Sequence, residues 1–223
     1  MKVISVDAAR TTWLFPLTEI NPMGRSFSHT FLSIAERYGF KKFPKYSLDY
    51  DPESKGLIFS DGEFTPKSGN KVLAKLSIFA DGVVADCWSS TRDSEELLTD
   101  VMGWVKSEHG FSLPADRIPK VLYLSELTVT SDKNLVMTNP KLESLAALVS
   151  AKLTASRRTN AGYTVGGMSL WAKNWDQQGS PVPYKVERKV SSSFGDNRYY
   201  AGAPLPTHEH IELLEEQEKI IAQ

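Results

Sequence analysis

Four histidines, His29, His109, His208 and His210, are the groups from which any histidine-based catalyst or metal centre in this chain must be drawn. They are scattered. His208 and His210 form the one close pair, and their i,i+2 spacing does not bring side chains together on a helix as i,i+3 or i,i+4 spacing would. An extended segment from 207 to 210 would let both reach a metal. A solvated helix N-terminus is the simpler expectation, because neither Cys-x-x-Cys nor His-Glu-x-x-His occurs.

Carboxylates offer a second chemistry, metal-dependent cleavage with a lysine on the adjoining strand. Asp61, Glu63, Lys75 and Asp86 are the residues that could be arranged that way, but the acidic-x-Lys spacing is missing, and Asp61-Gly62 reads as a turn. Gly166-Gly167 lacks the downstream glycine or Lys-Ser/Thr of a phosphate loop, so close packing or a bulge is expected there. Ser191, Ser192 and Ser193 have no Gly-x-Ser-x-Gly elbow around them. Cys87 has no second cysteine to pair with and is expected to be a small buried hydrophobe in a reducing compartment. No catalytic residue, metal or cofactor is assigned.

Recognition is the remaining use. Residues 156–160 leave a predicted helix with Arg157 and Arg158, whose planar donor forks suit phosphate or carboxylate and whose charge suits a helix C-terminus. Residues 194–206 are expected to form a loop that combines Asp196, Asn197, Arg198, Tyr199 and Tyr200 with two prolines, the composition of an interface hot spot and equally of a loop packed on its own sheet. Five tryptophans are many for this length, and only Trp104 sits on a core-facing stripe, which leaves Trp88 as an expected contact residue. The binding candidates are therefore Arg157, Arg158, Arg198, Tyr199, Tyr200 and Trp88. The leading expectation is a non-enzymatic protein-interaction module, an inhibitor, immunity or assembly factor. The alternatives are a small-molecule module with an aromatic pocket oriented by an acid such as Glu126, and a nucleic-acid-processing enzyme whose site forms only in three dimensions.

The elements that must position these residues follow from periodicity. Residues 71–80 and 83–90 are β-prone runs around Asp81-Gly82, so a two-residue hairpin is predicted, pairing Ala80 with Val83, Ile78 with Ala85 and Leu76 with Cys87. One side of that ribbon is apolar. A helix follows, with Asp93 and Glu96 as a capping box, Leu97, Leu98, Val101, Trp104 and Val105 as its stripe, and Gly110 as its stop. Before the hairpin, 2–6 reads as a strand, Phe27, Phe31, Ile34 and Tyr38 mark a helix closed by Gly39, and 56–60 suits a short strand. In the second half, 119–130 reads as a long strand. A helix from Asn139-Pro140 follows, turning Leu142, Leu145, Ala146, Val149 and Leu153 inward, then strands over 162–173 and 184–190 and a terminal helix capped near Thr207. The predicted class is α+β, with mixed or antiparallel sheet and helices on one face. Strand, helix, hairpin, helix occurs twice, in halves 1–112 and 113–223 of one compact unit, without residue-level identity between them.

Composition sets the surroundings. At 41% hydrophobic residues the chain can build a core without disulfides, and the lack of a long apolar run points to a soluble, cytoplasmic protein that meets no membrane. A net charge of −1 argues against a broad nucleic-acid footprint while allowing a local basic patch. Another protein is the expected partner, and surface Trp and Tyr make self-association plausible.

Overall fold

A computed structural model describes residues 1–21, 27–45, 55–111, 119–136, 139–156, 162–174 and 179–222. The chain is α+β with antiparallel sheet, as its pattern predicts. Its contacts form two compact units, Val6–Glu126 with Pro204–Thr207, and Met1–Ser5 with Leu127–Ala203 and His208–Gln223.

The first unit holds β1 (Lys2–Leu14) from residue 6 onward, α1 (Leu17–Ile20), α2 (Ser28–Arg37), β2 (Leu57–Phe64), β3 (Val72–Phe79), β4 (Gly82–Cys87) and α3 (Thr91–His109), with ladder order β2-β3-β4-β1. The hairpin forms, but its register differs from the prediction by two residues. Ile78 faces Val83, Leu76 faces Ala85 and Ala74 faces Cys87, and the turn is Ala80-Asp81. A shift of two leaves every side chain on its own face, so the apolar side is still the buried one. The turn is held from outside the hairpin, because Phe15 N–H donates to the Asp81 carbonyl at 3.0 Å and Leu17 N–H to that of Ala80 at 2.7 Å.

That face carries Leu57, Phe59, Ala74, Leu76, Ile78, Val83, Ala85 and Cys87, covered by Phe31, Ile34, Ala35 and Tyr38 of α2 and Leu97, Leu98, Val101 and Val105 of α3. Each fully buried large side chain contributes about 1.5–3 kcal/mol. The capping expectation for α3 is corrected: the cap is Ser90, whose hydroxyl accepts the Asp93 N–H at 3.1 Å, three residues before the predicted box. Gly110 ends the helix as predicted, at φ 69°. β1 outruns its expected bounds because pairing with β4 and an Arg10–Asp86 ion pair hold the polar stretch after Val6. Asp61-Gly62 is not a turn between strands but an irregularity inside β2, where Asp61 takes φ 58°.

The second unit holds β5 (Lys120–Thr130) from residue 127, α4 (Pro140–Ala155), β6 (Gly167–Leu170), β7 (Tyr184–Arg188), β8 (Arg198–Ala203) and α5 (Thr207–Ile221) from residue 208, with ladder order β5-β8-β7-β6. Segment 194–206 is therefore not a loop. It is a 3-10 turn, Phe194–Asp196, followed by β8, and its central Tyr199 is fully buried. α4 starts at Asn139-Pro140 as predicted, with the Asn139 side chain accepting the Lys141 N–H. Its predicted inward face is not covered: no residue of α4 is buried, and Leu142, Leu145, Leu148 and Val149 are exposed. The partly shielded positions are Glu143, Ala146, Ser150 and Leu153, spaced i, i+3, i+7 and i+10, so the helix rests on a narrow and partly polar strip.

Candidate functional site

β7 and β8 supply the densest group of candidate residues. Their register pairs Lys185 with Gly202, Val186 with Ala201, Glu187 with Tyr200 and Arg188 with Tyr199. Strand alternation then separates two faces. Tyr184, Val186, Tyr199 and Ala201 turn toward α5, where Val186, Tyr199 and Ala201 are fully buried, and burial pushes the Tyr184 phenol up to about 12. Tyr184 hydrogen-bonds Gln217 of α5, whose amide also donates to the Leu135 carbonyl at 2.8 Å. The Tyr199 hydroxyl accepts the Leu135 N–H at 3.3 Å and has the Asn197 side-chain oxygen 3.2 Å away, an anchor of the interior.

The opposite face holds Lys185, Glu187, Lys189, Arg198 and Tyr200, with Ser169 of β6 beside Lys185. The Lys185 ammonium stands 4.8 Å from the centre of the Tyr200 ring. Gly202 leaves room for this, since the Lys185 stem runs 3.4 Å from where a Cβ on Gly202 would lie. Lys189 donates to the Thr128 hydroxyl at 2.7 Å, and its N–H donates to the Arg198 carbonyl at 2.9 Å. One cation thus lies over the aromatic ring, and two more cations and a carboxylate share its sheet face.

At the end of this ladder lies a groove of about 610 Å³, with Gly166, Glu187, Arg188, Lys189, Phe194 and Arg198 among its lining. The Arg188 guanidinium donates to the Phe194 carbonyl at 2.8 Å and to the Asn197 side chain at 3.3 Å. It also stacks 4.7 Å from the Phe194 ring centre and 5.3 Å from that of Tyr199. Its position is fixed from several sides. Residue type alone does not mark Arg188; it stands ten positions before Arg198, and antiparallel pairing brings the two to one groove.

Among the predicted binding residues, Arg198 and Tyr200 share this face and Tyr199 points away from it. Trp88 lies in the first unit, 48% exposed, on the side of its ladder away from the core, where Ile58 and Leu73 are also exposed. Arg157 and Arg158 lie outside the described residues, as does Trp175. Trp104, expected in the core stripe, is half-buried with the Arg37 guanidinium 5.2 Å from its ring.

The other chemistries separate. Asp61 pairs with Lys42 at 2.9 Å, Glu63 with Lys71 at 2.6 Å and Asp86 with Arg10 at 2.6 Å, so each carboxylate has its own cation. Glu126 acts electrostatically on Arg10. Among the described residues no group of three His, Cys, Asp or Glu is placed to hold a metal. The segment from Thr207 is helical, which leaves His208 exposed and His210 buried against the Tyr184 ring. No helix among the described residues is long and apolar enough to cross a membrane.

No protein-family model matches the chain, and no curated protein matches its sequence. Among solved structures it is similar to Methanococcus jannaschii TBP, with 14% identity, 99% of this chain and 98% of that one covered, and a TM-score of 0.44. The expectation of a protein-interaction module working through an exposed aromatic and arginine loop is corrected: that segment is strand β8, and Tyr199 lies inside.

Proposed function

We propose that the protein binds single-stranded nucleic acid along the face of β7 and β8 opposite α5. The observation that carries the reading is that Lys185, over the Tyr200 ring, shares one sheet face with Lys189 and Arg198. A base stacks on an aromatic face whatever its identity, and flanking cations replace the counterions of the backbone. The patch is local, which accords with a net charge of −1 for the whole chain.

The test is fluorescence anisotropy with labelled DNA and RNA strands of about 12 nucleotides, a length within the range one sheet surface engages. Tyr200→Ala is expected to weaken binding about tenfold. Lys185→Ala is expected to reduce the dependence of log affinity on log salt by about 0.7, the loss of one contact to a single strand. Binding that neither substitution changes would sink the proposal, as would no binding at low salt.

A further inference from the structure

We infer that the groove at the end of the β6–β7–β8 ladder receives a phosphomonoester, the phosphorylated end of the bound strand. The inference rests on the strand-binding reading above and assigns one end of the strand a place.

Arg188 and Arg198 both line the groove; the Nε of each is shielded from water, which leaves their terminal N–H groups as the donors for a ligand. An anion is the partner from which a guanidinium gains most. Arg188 is already held by the Phe194 carbonyl, Asn197 and two rings, so little ordering remains for a ligand to impose.

Charge selects the kind of phosphate. Arg188, Lys189 and Arg198 against Glu187 leave a surplus of two positive charges in the lining. A phosphomonoester carries about two negative charges at neutral pH, whereas an internal phosphodiester carries one. Two of the turn amides are already engaged. Ser192 N–H donates to the Lys189 carbonyl and Ser193 N–H to Asp196, which leaves the cationic side chains as the main source of attraction. Room comes from Gly166, where an added Cβ would meet nothing within 4 Å.

The experiment compares one strand sequence carrying a 5′-phosphate, a 3′-phosphate or hydroxyls at both ends, with a nucleoside monophosphate and inorganic phosphate as competitors. Wild type is expected to bind one phosphorylated form about tenfold more tightly, the worth of one charge-assisted hydrogen bond. Arg188→Gln removes charge, and Gly166→Leu fills the groove without touching the charges. Both are expected to bring that ratio near one while leaving affinity for the hydroxyl-ended strand in place. Equal affinity of wild type for all three strands overturns the end site and leaves the strand-binding reading standing. A failure of every strand to bind removes both. A mononucleotide or inorganic phosphate bound as tightly as the strand makes this a site for small phosphates and overturns the assignment to a strand end.

Discussion

Thr91 and Thr207, 116 residues apart, each accept the other's backbone amide: Thr91 N–H donates to the Thr207 hydroxyl at 3.0 Å, and Thr207 N–H to the Thr91 hydroxyl at 2.8 Å. Both side chains are buried. Thr91 is the first residue of α3, and its carbonyl accepts from Thr11 and Ser94, so one helix start ties β1, α3 and the 204–207 segment together.

Replacing Thr207 with Val keeps the shape and removes the oxygen. The Thr91 amide then has no acceptor in a buried site, and the expected loss is about 1–3 kcal/mol, read as a lower denaturant midpoint with an unchanged m-value. Thr207→Ser, which keeps the oxygen, is expected to recover most of it. Equal losses in the two variants would show that the methyl group and not the hydrogen bond matters.

Two glycines are expected to respond in opposite directions to alanine. A Cβ on Gly82 would lie 2.3 Å from the Trp13 carbonyl oxygen, a backbone atom that cannot swing aside, so Gly82→Ala is expected to cost about 3 kcal/mol. Gly103 is an exposed residue inside α3 whose Cβ would meet nothing within 4 Å, so Gly103→Ala is expected to stabilise by about 0.5–1 kcal/mol. Thermal denaturation of the two variants beside wild type checks both signs.

Burial pushes the Cys87 thiol from 9.0 up to about 12, with Asp93 and Asp86 adding to the effect. The folded state therefore holds this proton more tightly than the unfolded chain does. Its contribution to stability is complete below pH 9.0 and is lost as pH rises toward about 12, so the melting temperature is expected to fall across that window. Tyr184, raised from 10.0 to about 12, acts in the same direction. At pH 8, Cys87 is expected to resist a thiol reagent until the protein is unfolded; prompt reaction of the native protein would contradict its burial.

What the sequence disclosed followed from period and capping. Alternation in β3 and β4 and helical spacing in α3 each specify a face, which is why the hairpin could slip by two residues without moving a single side chain to the wrong side. β8 escaped notice because its last residues, Ala201-Gly202-Ala203, carry little strand propensity, and the burial of Tyr199 depends on partners at 134, 135 and 197. α4 shows the reverse difficulty: its apolar stripe is plain in the sequence, but periodicity cannot say what lies on either side of a helix. The candidate site was half legible. Arg198 and Tyr200 drew attention by type, whereas Lys185, Lys189 and Arg188 join them only through strand pairing.

The shallow seating of α4 bears on how the second unit breathes. Glu143 accepts from Thr164 and Val165, and Ser150 accepts the Tyr163 amide, but no apolar side chain of the helix is fully buried, whereas α3 has Leu97, Leu98, Val101 and Val105 in the core. Backbone hydrogens along α4 are therefore free to exchange with solvent through local opening, at a free energy far below that of complete unfolding, while those in the middle of α3 wait for the core to come apart.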